Sequence, residues 1–155
     1  MKYFGFKLHT IVNLTGVIMS FVLTPANRYD NQPVVEFLDS FSHHLKCLLG
    51  DGAYNDATLQ KFLEQYRRLE LLAPAKVNQE SPRSPQAQQQ LNRLRLICET
   101  VNAQLQEQLH LSKHYAKSTW GAMTRIAAKL TAHSVGMMVN QLLGRPPLQL
   151  ASLAV

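Results

Sequence analysis

The run Leu48-Leu49-Gly50-Asp51-Gly52-Ala53-Tyr54 constrains this chain more than any other stretch. Two large aliphatic residues lead into an acid bracketed by glycines, with a tyrosine three positions later. Leu48 and Leu49 read as the end of a buried strand, and the glycines allow a sharp turn and the close approach of a ligand. A carboxylate at the C-terminal edge of a strand is where open α/β sheets place their chemistry. An α/β domain is therefore expected, with Asp51 as the first functional candidate.

The flanking patterns fit that class. Phe4, Phe6, Leu8, Thr10 and Val12 alternate onto one face of a strand, with Lys7, His9 and Asn13 on the other. Leu14-Thr15-Gly16 is turn chemistry, and Val17 to Thr24 is a second β-rich run, so the two predict a hairpin ended by Pro25-Ala26-Asn27. Asp30 is the expected N-cap of a helix from Pro33 to His44. After the strand at Leu48-Leu49, a helix is expected over Ala57 to Arg68 and a short strand near Leu71-Leu72-Ala73. Residues 77–90 are rich in Gln, Ser and Pro and read as a mobile loop. Helices follow from Leu91 to Leu109 and from Ser118 to Leu143, the latter with Met123, Ile126, Ala127, Leu130, Met137 and Met138 as its apolar stripe. Arg145-Pro146-Pro147 stops it, and 155 residues with no internal repeat make one domain.

Composition narrows the function classes. At 46% hydrophobic and 17% charged the chain is globular rather than a disordered tail. Its net charge of +6 is uneven: after Glu107 there is no acid, while Lys113, Lys117, Arg125, Lys129 and Arg145 follow. Such a segment attracts a polyanion such as DNA, RNA or an anionic membrane, although a solvated basic helix face accounts for it equally. Cys47 and Cys98 form no disulfide framework, which suits a reducing cytoplasm. The apolar run from Ile11 to Leu23 imitates a signal peptide but is interrupted by Asn13, Thr15 and Gly16, and no stretch is long enough to span a bilayer.

Further candidates come from spacing. On the helix after Leu91, Asn92, Arg95, Glu99 and Gln106 fall within about 60° of one another at 100° per residue, a polar stripe set apart from Ile97, Val101 and Leu105. Arg95, one turn before Glu99, can orient or neutralise its carboxylate, and taken alone an ordinary i,i+4 surface pair is the favoured explanation of the two. Arg125, Lys129 and His133 recur every four residues as a basic ridge suited to phosphates. Lys7 and His9 suit a phosphate backbone too, as they suit an exposed strand face. Tyr115 and Trp120 stand among lysines where bases would stack, but an aromatic at helical spacing is usually core. His43-His44 with Cys47 lacks a second cluster to complete a tetrahedral zinc set, and Glu36 and Asp39 read as a solvated helix face.

Several blocks together resemble the catalytic core of DDE-type insertion-sequence transposases. They are Tyr3-Phe4-Gly5-Phe6-Lys7-Leu8-His9, Leu23-Thr24-Pro25-Ala26-Asn27 with Asp30, and Leu49-Gly50-Asp51-Gly52-Ala53-Tyr54. Arg95-Leu96-Ile97-Cys98-Glu99, Lys129-Leu130-Thr131-Ala132-His133 and Asn140-Gln141-Leu142-Leu143-Gly144 follow in the same order. The resemblance implies an RNase H-like mixed sheet with flanking helices and long C-terminal helices, and DNA cleavage and strand transfer by two magnesium ions held by an Asp, Asp, Glu triad. Hard cations of that kind want carboxylate oxygens. By position Asp51 resembles the second acid and Glu99 the third, with Arg95 orienting Glu99 and with Lys7, His9, Arg125, Lys129 and His133 toward DNA. Asn92 stands where the family has Tyr, and Gln106 where it has Lys.

The family's first acid lies on a strand before the Tyr3-Phe4-Gly5 block, so the N-terminal strand of the fold is expected to be absent and the chain to be truncated. Asp30 is no substitute: three strand spacings, about 14 Å, would separate it from the Asp51 strand, against about 4 Å between paired metals. Two functions follow. One is a cytoplasmic, nucleoid-associated transposase that acts on insertion-sequence ends and target DNA, self-associates, and is complete only with an upstream segment. The other is a catalytically dead remnant that binds DNA or a full-length transposase.

Overall fold

The computed structural model describes residues 5–30, 32–39, 45–74 and 84–153. It is a mixed α/β protein with small sheets and several helices: β1 (Phe6–Val12), β2 (Ile18–Pro25), α1 (Pro33–Asp39), β3 (Cys47–Leu49), α2 (Ala57–Arg67), β4 (Glu70–Leu72), α3 (Pro85–Glu107) and α4 (Thr119–Leu142). Short 3-10 turns follow β3 (Gly52–Tyr54) and α4 (Leu150–Leu153). Among the described residues no helix is long and apolar enough to cross a membrane. Two compact units divide the chain: residues through Thr10 with Ser20–Arg95, and Ile11–Met19 with the residues from Leu96 on.

In the first unit, β3 and β4 pair in parallel, Leu48 opposite Leu71 and Leu49 opposite Leu72, with α2 as the crossover that parallel strands require. Asp56 starts α2 by accepting from the amides of Thr58 and Leu59. Arg68 ends it in a left-handed conformation (φ 50°), where the Leu69 amide reaches back to the Leu63 carbonyl. The face so presented buries Leu59 and Leu63 with Val34, Leu69 and Leu71, and Leu45, Leu48 and Tyr54 pack against that core. The tip of the β1–β2 hairpin belongs to the second unit; there the Asn13 side chain accepts from the Thr15 and Val17 amides and Gly16 takes φ +91°, a region that favours glycine.

In the second unit, α4 begins at the cap Ser118, whose hydroxyl accepts from the Gly121 amide. Its buried residues are Ala122, Ile126, Leu130, His133, Met137 and Asn140, a helical period, and Val101 and Leu105 of α3, Leu111 and Leu150 are buried as well. Asn140 is fully buried, and its amide donates to the carbonyls of Pro147 (3.3 Å) and Gln149 (3.0 Å), which ties the final turn to the helix.

Four expectations change. Among the described residues the strands form two separate two-stranded sheets, β1–β2 and β3–β4, instead of one mixed sheet, because no described strand joins the two pairs. Helix α3 begins at Pro85, not Leu91: Ser84 accepts from the Ala87 amide as a cap, Pro85 stands at the first helical position, and the glutamines that follow are good helix formers. Residues 77–83 of the expected loop lie outside the described residues, as do Tyr3, Phe4, the end of the first helix and His43-His44. On α4, Met123 and Met138 are exposed and the apolar stripe runs instead through Ala122, with the polar His133 and Asn140 inside it. Asp30 pairs with Lys7 at 2.8 Å, a use the cap expectation did not foresee.

Candidate functional site

Asp51 follows β3 directly. The β3–β4 ladder runs on through the Gly50 amide, which donates to the Leu72 carbonyl (2.9 Å), and Asp51 then caps the 3-10 turn. Its Oδ1 accepts from the Ala53 amide at 2.9 Å, and its carbonyl accepts from the Tyr54 amide at 3.1 Å. The side chain is exposed, so with Oδ1 used by its own turn, Oδ2 is left for a ligand. The flanking glycines serve a different end from the one the sequence suggests. Neither has a positive φ. A Cβ on Gly50 would lie 2.9 Å from Tyr54 Cβ and 3.2 Å from the ring's Cγ, so Gly50 makes room for Tyr54 rather than for a ligand.

Tyr54 continues inward. Its hydroxyl lies 3.0 Å from His9 Nδ1 on β1, and His9 Nε2 lies 3.0 Å from Thr24 Oγ1 on β2. Burial pushes the Tyr54 phenol up to about 12, with the charges of Asp51 and Asp30 adding to it, so the hydroxyl keeps its proton. Burial likewise pulls His9 below its ordinary value, against an opposing pull from Asp30. His9 is buried and its two nitrogens are engaged, which corrects its assignment to a DNA-facing strand surface. Lys7 keeps partial exposure, held by Asp30 and by the Arg28 carbonyl (2.9 Å).

Arg95 lines a narrow cleft at the C-terminal ends of β3 and β4, with Leu49, Gly50, Leu72, Ala73 and Pro74. Helix α3 thus places Arg95 beside the strand ends that carry the Asp51 turn. Glu99, exposed, follows one turn later on the same helix. Asp51 belongs to the first unit and Glu99 to the second. Among the described residues no group of three His, Cys, Asp or Glu side chains is placed to hold a metal ion. An exposed carboxylate with an uncommitted oxygen is nonetheless the donor that a hard divalent cation takes.

The second unit carries a basic pocket of about 330 Å³, lined by Lys113, His114, Tyr115, Arg125, Ala128, Lys129 and Ala132. Arg125 donates to the His114 carbonyl and Lys129 to the His110 carbonyl, so two members of the expected ridge grip the loop above them. His133 is not the third. It is fully buried, with Nε2 at 2.9 Å from Gln104 Oε1, and the Gln104 amide donates in turn to the Leu148 carbonyl. Burial holds the His133 imidazole below its usual range, so it is neutral. Lys113 takes its place on the pocket wall, and Tyr115 and Trp120, 80% and 78% exposed, are not core aromatics.

Sequence reasoning missed Thr24, Tyr54 and Gln104. The tyrosine's fixed distance from Asp51 was a usable signal, but partners 15, 29 and 45 residues apart have none without the strand register. A family model described as transposase DDE domain matches residues 2–135. No curated protein and no solved structure matches the chain.

Proposed function

This chain belongs to the transposase DDE domain family, and from that premise we propose that it acts in DNA transposition, cleaving and joining phosphodiesters with an RNase H-like catalytic fold. The observation that carries the reading within the structure is the Asp51 turn: an exposed carboxylate at the end of a parallel strand, with Arg95 lining the cleft behind it. Asp51 and Glu99 are the residues that would hold magnesium. Bound there, the ions supply activation of a water or 3′-hydroxyl and stabilisation of the leaving oxygen. The chain's own side chains do the rest. Arg95 orients and partly neutralises the Glu99 carboxylate one turn away. Lys113, Arg125 and Lys129 hold backbone phosphates, and Lys7 adds a further cation on β1.

The reading places the protein in the cytoplasm, on DNA at insertion-sequence ends and target. It includes self-association through the exposed strip of Val135, Met138 and Leu142 on α4. A second reading is binding to DNA or to a full-length transposase without cleavage.

One experiment separates the two: incubation of the purified 155-residue chain with terminal-repeat duplex and Mg²⁺ or Mn²⁺, read as binding and as nicking. Binding with metal-dependent nicking supports the first reading, and binding without nicking supports the second. Metal-dependent nicking by the unaided chain, abolished by Asp51→Asn, would establish a complete site. No binding to any DNA would refute both.

A further inference from the structure

We propose that Thr24, His9 and Tyr54 form a positioning relay that sets the direction of the Asp51 carboxylate. The inference rests on the reading of Asp51 as a cation ligand, and it adds three residues that touch neither cation nor DNA.

The relay has a continuous path within the first unit. Thr24 is 1% exposed and fixes one nitrogen of His9; the other nitrogen fixes the Tyr54 hydroxyl. With its hydroxyl anchored, the Tyr54 ring is held against Gly50 so closely that no Cβ fits there. The same residue's amide binds the Asp51 carbonyl, and the next amide back, of Ala53, binds Oδ1. Tyr54 therefore clamps the Asp51 turn from both sides: ring on Gly50, backbone on Asp51. The carboxylate is left with one oxygen turned to its own backbone and the other outward.

Stitching the hairpin to the β3 end does not by itself call for polar groups. Burying a histidine and a threonine costs desolvation that each hydrogen bond only offsets, and matched apolar side chains would pack as well. A hydrogen-bonded chain differs from apolar packing in fixing direction as well as distance. Direction is what a ligating carboxylate needs, and outer partners of metal ligands act in this way.

The test uses Mn²⁺ as the probe on the purified 155-residue chain, by water-proton relaxation, together with hydrogen exchange at the Ala53 amide and thermal melting. Tyr54→Phe removes the hydroxyl and keeps the ring, so the fold is retained. The expected result is a melting temperature within a few degrees of the parent, faster Ala53 exchange and Mn²⁺ affinity lowered about 10-fold. Thr24→Val should move the same two readouts in the same direction, and Thr24→Ser should restore them. A lowered melting temperature with unchanged Ala53 exchange and unchanged Mn²⁺ affinity would reduce the relay to a structural stitch and overturn the proposal. Asp51→Asn, whose side chain can still cap the turn, is the control. If it binds Mn²⁺ as the parent does, the ligand reading fails and the relay loses its purpose; if it weakens binding while Tyr54→Phe does not, only the relay fails.

Discussion

Replacing Gly50 by alanine is the sharpest check on how the Asp51 turn is built. Two effects oppose each other. Gly50 does not adopt a positive φ, so an alanine there carries no left-handed strain and restricts the unfolded chain, a gain of about 0.4–1 kcal/mol. Against this, the new methyl would stand 2.9 Å from Tyr54 Cβ and 3.2 Å from both Cγ and Cδ2. The Cβ cannot swing away as a side-chain tip can, because the Tyr54 backbone is tied to Asp51 through a 3.1 Å hydrogen bond. Relief has to come from the backbone, at the overpacking cost of about 1–3 kcal/mol. Crowding outweighs the gain over most of these ranges, and the net destabilisation lies between about 0 and 2.6 kcal/mol.

Urea denaturation followed by circular dichroism reads this directly, as a midpoint lowered by a few tenths of a molar to about 1 M. Gly52→Ala is the internal control two residues away. Among the described residues a Cβ there meets only Pro74 Cγ, at 4.0 Å, and again has no positive φ to fight, so it should be stabilising by about 0.4–1 kcal/mol. The amide at position 50 should also exchange faster in Gly50→Ala, since the displaced backbone draws it from the Leu72 carbonyl. A Gly50→Ala chain as stable as the Gly52→Ala chain would refute the packing of Tyr54 on Gly50, and with it the geometry assigned to the turn.

Stability should fall on mild acidification. His133 is held neutral by burial, so the unfolded chain takes up its proton near the ordinary value of 6.5 while the folded chain does not. That contribution is complete above about pH 6.5 and lost as pH falls below it, with a slope of at most about 1.4 kcal/mol per pH unit per proton; urea midpoints from pH 7.5 to 5.5 measure it, and His133→Gln should make the curve shallower, leaving the share of His9, which burial also holds below its ordinary value. The pair Arg125→Gln and Lys129→Gln should weaken duplex binding and lower the salt slope of log K by about 1.8 if each cation neutralises one phosphate. Fluorescence anisotropy over a salt series reads this, and an unchanged slope would place the DNA elsewhere.

Elements governed by local chemistry were legible in the sequence. The strand at Leu48-Leu49, the helix that Asp56 caps and the helix after Ser118 stand within a residue or two of their expected places, because apolar run, cap and period all agree there. The expected loop failed at its end because Ser84-Pro85 is a helix start written in loop-like composition. The position of Asp51 was legible; the use of its neighbours was not. A glycine flanking an acid suggests freedom, whereas Gly50 is there for a tyrosine ring whose own partner lies on β1. The two histidines assigned to DNA failed for one reason. A basic ridge read from spacing groups histidine with the cations, while a neutral imidazole is a core residue once polar partners are in reach, as Thr24, Tyr54 and Gln104 are.

With His133 inside, the basic pocket holds together by a different logic from a ridge of free side chains. His110 and Tyr115 both stand in the left-handed region, φ 49° and 48°, at about 1–2 kcal/mol each for residues with a Cβ. The same loop receives two hydrogen bonds from charged donors, Lys129 to the His110 carbonyl and Arg125 to the His114 carbonyl, of the kind that contributes about 1.5–3 kcal/mol each. The terms are of equal size, so the loop conformation and the direction of the two cations hold each other in place. Each cation keeps unused donors after its one bond to the loop, and a phosphate arriving at the pocket meets side chains whose rotamer freedom has already been spent in folding.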